Sequence, residues 1–229
     1  MVKKKKEAKK EEEIDLVESY NKTEQYLEEN KKSITIIILA VILLFGGYFS
    51  YTKLYLEPRQ EEAAQQIWKA EYYFEIDSLR LALEGDGNYY GFYDIAERYS
   101  GTRTAALANY YIGSIMMKQG EYDYAIAYFN DADLDDKVIG AMAKGAMGDA
   151  YVELGDYSEA IRAYDRAISH HDNGFSTPLF LFKQALVYEE VGDYASAADN
   201  YRRIKEDYNK SIYGRDAEKY LAKAEALAG

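Results

Sequence analysis

The chain has no cysteine, two prolines, two histidines and one tryptophan among its 229 residues. Without cysteine there is no disulfide scaffold and no thiol chemistry, whichever compartment the protein occupies. His170-His171-Asp172 has no further His or Cys to complete a zinc set, so it reads as surface loop, with a weak adventitious metal site as the alternative. No nucleophile elbow, P-loop or dinucleotide fingerprint occurs, so the chain is read as a non-enzyme without cofactor or metal. Positive charge is scarce too: 28 Lys/Arg face 40 Asp/Glu, a net charge of −12. The imbalance is uneven, because residues 1–56 carry 10 basic and 9 acidic side chains and residues 57–229 carry 18 and 31. An acidic domain argues against nucleic acid and anionic lipid headgroups as its ligands.

What the chain does have is a recurring phrase. Gly113-Ser-Ile-Met-Met-Lys-Gln-Gly120-Glu-Tyr-Asp-Tyr-Ala125 returns as Gly148-Asp-Ala-Tyr-Val-Glu-Leu-Gly155-Asp-Tyr-Ser-Glu-Ala160. It returns again as Ala185-Leu-Val-Tyr-Glu-Glu-Val-Gly192-Asp-Tyr-Ala-Ser-Ala197. The steps from Gly120 to Gly155 and from Gly155 to Gly192 are 35 and 37 residues. Each copy pairs two apolar-periodic helices around a Gly-x-Tyr elbow, whose glycine takes the left-handed backbone at no Cβ cost. Glycine inside a helix costs about 1 kcal/mol against alanine, so Gly113 and Gly148 require a packing reason.

This pattern resembles the tetratricopeptide repeat (TPR), whose period is about 34 residues. The resemblance implies an all-α solenoid of stacked helical hairpins, in which small residues at 113, 148 and 185 let the second helix approach. Repeats are expected at 106–139, 141–174 and 178–211, with 212–227 as a capping helix, Tyr220, Leu221 and Ala224 inward. Phe92, Ile95 and Tyr99 echo Tyr201, Ile204 and Tyr208, which points to a degenerate unit over about 58–102. Its first helix is expected to run from Pro58 to near Leu83. Thr102 or Thr104 is the candidate N-cap of the first full repeat. In TPR arrays the first helices line a concave groove that binds extended peptide segments or other proteins. Carried over, the groove positions are Tyr110, Ser114, Met117 and Lys118, then Gly145, Asp149, Val152 and Glu153, then Phe182, Leu186 and Glu189. Lys118 is the only basic residue in that set, a departure from the basic carboxylate clamp of chaperone-tail TPRs. The mixture suits an apolar or basic extended ligand.

Upstream, residues 1–13 form a solvated charge run, and 14–29 permits a short amphipathic helix. Ile34 to Tyr51 is 18 residues without a charge, extendable to Leu56 if Lys53 snorkels, and reads as an uncleaved signal-anchor over 34–56. Nine lysines precede it, whereas only Lys53 and Arg59 follow closely. The positive-inside rule therefore keeps residues 1–33 in the cytoplasm and exports 57–229, to the periplasm in a Gram-negative cell. The alternative topology is a cytosol-facing import receptor.

Two acidic clusters invite a metal reading. Asp86, Asn88, Gly91, Asp94 and Glu97 fall at calcium-loop spacings, but Tyr90 stands where a ligand belongs, so a plain turn before a helix is expected. Asp131, Asp133, Asp135 and Asp136 read as solvated carboxylates. The full layout is similar to the YfgM-like ancillary subunits of the bacterial secretory translocon. That resemblance implies a bacterial inner-membrane scaffold whose partners are the translocon or periplasmic chaperones. The alternative is a structural protein of cell-wall or outer-membrane assembly.

Overall fold

The computed structural model describes residue 24 and residues 26–229; the charged run and most of the expected amphipathic helix lie outside the described residues. Every regular element among the described residues is helical. The chain divides into two compact units, 1–55 and 56–229.

In the first unit, α1 (Lys31–Tyr51) is apolar on every side and buries none of its residues. Its one threonine is satisfied internally, Thr35 Oγ1 donating to the Lys31 carbonyl at 2.8 Å. By length and composition it can cross a membrane: mean hydropathy reaches 2.3 over 18 residues. Its 21 residues rise about 31 Å, the thickness of a hydrocarbon core. A π-helical turn, Thr52–Leu56, follows.

The second unit is an all-α, TPR-type solenoid. Three hairpins follow one another: α6 (Arg103–Gln119) with α7 (Tyr122–Asp131), α8 (Ile139–Glu153) with α9 (Tyr157–His170), and α10 (Ser176–Glu190) with α11 (Tyr194–Asp207). Each helix packs on its sequence neighbours, and α6, α8 and α10 also touch in series. The first helices therefore form one layer and the second helices the other. Each elbow is a Schellman motif, in which Gly120, Gly155 and Gly192 adopt φ of 77°, 75° and 80°. In the middle elbow Asp156 N–H donates to the Tyr151 carbonyl at 2.9 Å and Gly155 N–H to Val152 at 3.0 Å. The next residue then starts the second helix: Asp156 accepts from Glu159 N–H and Asp193 from Ser196 N–H. At α6 the N-cap is Thr102, whose Oγ1 accepts from Ala105 N–H at 3.1 Å. Thr104 instead pairs with Gln60, tying α6 to α2.

The predicted packing roles of the inner glycines are met. A Cβ on Gly113 would lie 2.8 Å from the Phe129 ring and one on Gly148 2.6 Å from the Tyr164 ring. Both rings are buried, as is Tyr201, which shares a core cluster with Ala185 in the third unit.

Before the hairpins come α2 (Glu57–Gln66), α3 (Trp68–Glu75), α4 (Leu79–Glu84) and α5 (Phe92–Arg98). The single helix expected from Pro58 to Leu83 is thus three segments. The sharp break is at Asp77, whose φ of 58° is left-handed, a conformation that aspartate tolerates better than most residues. Phe92 and Ile95 on α5 are fully buried and Tyr99 nearly so, like Tyr201 and Ile204 in the last hairpin. At the far end α12 (Ala217–Ala228) packs on α11 through Ala217, Leu221 and Ala224. It begins at Ala217 rather than at the expected 212, because the Ser211 hydroxyl accepts from Gly214 N–H and holds a turn there. Tyr220 stacks on Tyr201 with centroids 5.4 Å apart, and Lys219 stays exposed.

Candidate functional site: the seams of the first-helix layer

The groove positions implied by the repeat pattern all lie on α6, α8 and α10, but the structure divides them by what they touch. On α6, Tyr110 is half-buried with its ring 5.9 Å from Phe129, and Ser114 Oγ donates to the Tyr110 carbonyl. Met117 packs against the N-terminal core. Lys118 is exposed, pairing with Asp77 at 3.1 Å and lying 5.1 Å from the Phe74 ring centre. Tyr110 and Ser114 are thus engaged within their own hairpin, and Met117 and Lys118 by the unit preceding α6.

On α8, Gly145 is buried rather than groove-facing: an added Cβ would sit 1.9 Å from the Phe180 ring. Gly145 is where α8 and α10 meet, a close approach that repeat register alone did not reveal. Asp149, one turn on, is the polar centre of the same seam. Its Oδ1 accepts from the Tyr164 hydroxyl at 2.6 Å, and Lys183 Nζ reaches Oδ1 and Oδ2 at 2.8 and 2.6 Å. Tyr164 comes from α9 and Lys183 from α10, so three helices meet on one carboxylate. Burial, reinforced by the Asp149 charge, pushes the Tyr164 hydroxyl pKa well up.

A cavity of about 450 Å³ opens beside this triad. Val152 and Leu186, both expected groove positions, form walls with Tyr157 and Val187, and Glu190 stands at the rim. Asp149 is already compensated by Lys183, whereas Glu190 has no hydrogen-bonded or ionic partner among the described residues. Glu153 is exposed and accepts from the Tyr122 hydroxyl at 3.3 Å.

The same device recurs one seam along. Glu189, predicted as groove-facing, accepts from the Tyr201 hydroxyl at 3.2 Å and from Lys223 Nζ of α12 at 2.6 Å. Phe182 is half-buried in an aromatic cluster, its ring 5.1 Å from Tyr220 and 5.2 Å from Tyr213. The α12 helix therefore engages the final seam. Between the two seams, buried Gln184 donates to the Ile161 carbonyl and to Asp165, and accepts from Asn200.

Sequence reasoning missed Lys183, Tyr157 and Glu190. Lys183 lies one helical turn before Leu186, so the i, i+3 spacing on a nominated face was the available signal. The acidic clusters have structural work. Asp86 Oδ1 accepts from Asn88 and Tyr89 N–H, and its Oδ2 from the Tyr73 hydroxyl at 2.7 Å. Those three hydrogen bonds, the Tyr73 hydroxyl foremost, lower its pKa. This is a plain turn, as expected. Asp136 was expected to be solvated, but it caps the start of α8 by accepting from Val138 and Ile139 N–H, both at 2.8 Å. His170 Nε2 donates to the Asp136 carbonyl at 3.1 Å, and His171 lies 3.7 Å from Asp135. The described residues contain no group of three or more side chains arranged to hold a metal ion.

Residues 146–212, from within α8 to the turn after α11, match a family model described as tetratricopeptide repeat. No curated protein matches the chain.

Proposed function

We propose that this protein is a non-catalytic scaffold that binds extended segments of other proteins along its first-helix layer. The observation that carries the reading is the α8–α10 seam. Its charges are neutralised internally by the Asp149–Lys183 pair, while an apolar cavity walled by Val152, Tyr157 and Leu186 is left open beside them. Such a site takes a side chain of a bound polypeptide and offers no nucleophile or paired acid and base to act on it. Glu190 at the rim favours a basic residue next to the apolar one.

The rest of the reading concerns place. The apolar α1 supports a single-pass anchor, and the lysine excess before it supports an exported repeat domain. On that basis the scaffold serves protein export or envelope biogenesis at a bacterial inner membrane, with translocon subunits or periplasmic chaperones as partners.

The test is photocrosslinking in native membranes from Val152 and Leu186, with Arg166 on the exposed side of α9 as the control. Adducts with translocon subunits, periplasmic chaperones or nascent exported chains, at 152 and 186 but not at 166, are expected. Equal labelling at all three positions would remove the seam as the binding surface. Adducts confined to wall-synthesis or outer-membrane assembly proteins would keep the scaffold and change its pathway.

A further inference from the structure

A second cleft, of about 760 Å³, opens where α5, α6 and α7 meet, and none of the groove positions lines it. The α6 helix contributes small side chains to it, Ala105 and Ala106 among them. Tyr93 of α5 and Tyr128 of α7 line it together, their ring centres 6.1 Å apart. Its charged residues are all acidic: Glu97 of α5, Asp131 at the end of α7 and Asp133 just beyond. None of these three carboxylates has a hydrogen-bonded or ionic partner among the described residues. Arg98, next to Glu97, is taken by Asp94 at 2.9 Å, and Asn109 Nδ2 donates to the Asp131 main-chain carbonyl at 3.3 Å. The step of 35 residues between the first two elbows carries Asn109 to Lys144 and Asp131 to Arg166. The second hairpin thus brings its own cations to these positions, and the first brings none.

We propose that this cleft binds the guanidinium group of an arginine on a partner polypeptide. Three uncompensated carboxylates around one space attract a cation, and the two tyrosines select a flat one. A guanidinium stacks on an aromatic face while its N–H fork reaches carboxylate oxygens. A lysine ammonium keeps the charge and loses the stacking. A metal ion fits less well, because the described residues contain no group of three or more side chains arranged to hold one. The cleft has room for the side chain together with part of its main chain. The excess of acid in residues 57–229, 31 side chains against 18 basic ones, draws basic segments toward it. The cleft shares no residue with the α8–α10 seam, so neither reading depends on the other.

The experiment uses the full chain in uncharged detergent micelles and a fluorescein-labelled peptide of alternating arginine and glycine, read by anisotropy. Saturable binding to the unaltered protein is expected. Glu97→Gln with Asp133→Asn, both at exposed positions, should weaken it by about fivefold or more. Glu206→Gln, at the position in the last hairpin that corresponds to Glu97, should leave it unchanged. Asn109→Lys supplies from within the cation that Lys144 supplies one hairpin later, and should weaken the peptide at least as much. Lysine in place of arginine in the peptide should weaken binding by about threefold or more. Absence of binding, an equal effect at 206, full affinity after either change at the cleft, or equal binding of the lysine peptide would each overturn the proposal.

Discussion

Substituting Gly145 by alanine sets two effects of opposite sign against each other. In a helix interior the change gains about 1 kcal/mol, because alanine loses less backbone entropy on folding. At this site the new methyl would lie 1.9, 2.1 and 2.6 Å from three atoms of the Phe180 ring. The ring cannot swing away freely: Phe180 is 1% exposed and stacks on Tyr164 at 6.1 Å. Forcing an extra carbon into a packed seam costs typically 1–3 kcal/mol, and the contacts here place it at the upper end. The expected net is a loss of about 1–2 kcal/mol. For a chain of this size that lowers Tm by about 2–8 °C. Thermal and denaturant melts followed by circular dichroism read it directly. Phe180→Leu in the same chain should recover part of the loss, giving a coupling of at least about 0.5 kcal/mol in a double-mutant cycle. A Gly145→Ala variant as stable as the parent, or more so, would refute the close approach of α8 and α10 and the seam built on it.

The polar centre of the seam should respond asymmetrically. Lys183→Met removes one partner of a pair whose side chains are each about one-third exposed, and should cost on the order of 1 kcal/mol. Asp149→Ala should cost more in the same denaturant melts, because the hydroxyl of Tyr164, 2% exposed, is left without its acceptor. Alkaline stability should fall as buried tyrosines ionise, Tyr99 and Tyr111 among them. Burial and then the hydrogen bond to Glu62 push the Tyr99 hydroxyl from 10.0 up to about 12. Its contribution is therefore complete below pH 10 and lost as pH rises toward 12. Tyr99→Phe should be less stable at neutral pH and show a shallower loss across that window. Calcium and EDTA should both leave Tm unchanged, because the Asp86 carboxylate is already engaged by two backbone N–H groups and Tyr73; a calcium-dependent rise in Tm would contradict this. Gly155→Ala places a side chain at φ of 75° and should lower stability by about 1–2 kcal/mol, whereas Gly174→Ala, with open space around it, should not.

The sequence alone determined the repeating parts of this protein. Glycines 35 and 37 residues apart, each followed by an acidic residue and a tyrosine, specify a left-handed elbow and the start of a second helix by local chemistry, which needs no distant partner. Small residues at 113, 148 and 185 marked where the second helix of each unit would approach. An uncharged run of 18 residues marked α1 by length and polarity alone.

Only the tertiary structure decided what the groove residues do. Repeat register placed Asp149, Gly145 and Glu189 on the first helices, but register says nothing about distance across a seam. Lys183 and Lys223 arrive from the following first helix, 34 residues further along in each case, and turn exposed acids into internal pairs. Gly145 and Phe182 were drawn away from solvent by close helix approach and by α12. The break at Asp77 escaped the periodicity because one left-handed residue scarcely disturbs an apolar pattern. The cleft at Glu97, Asp131 and Asp133 was equally hidden, because acids from two helices read as solvated until packing sets them around one space.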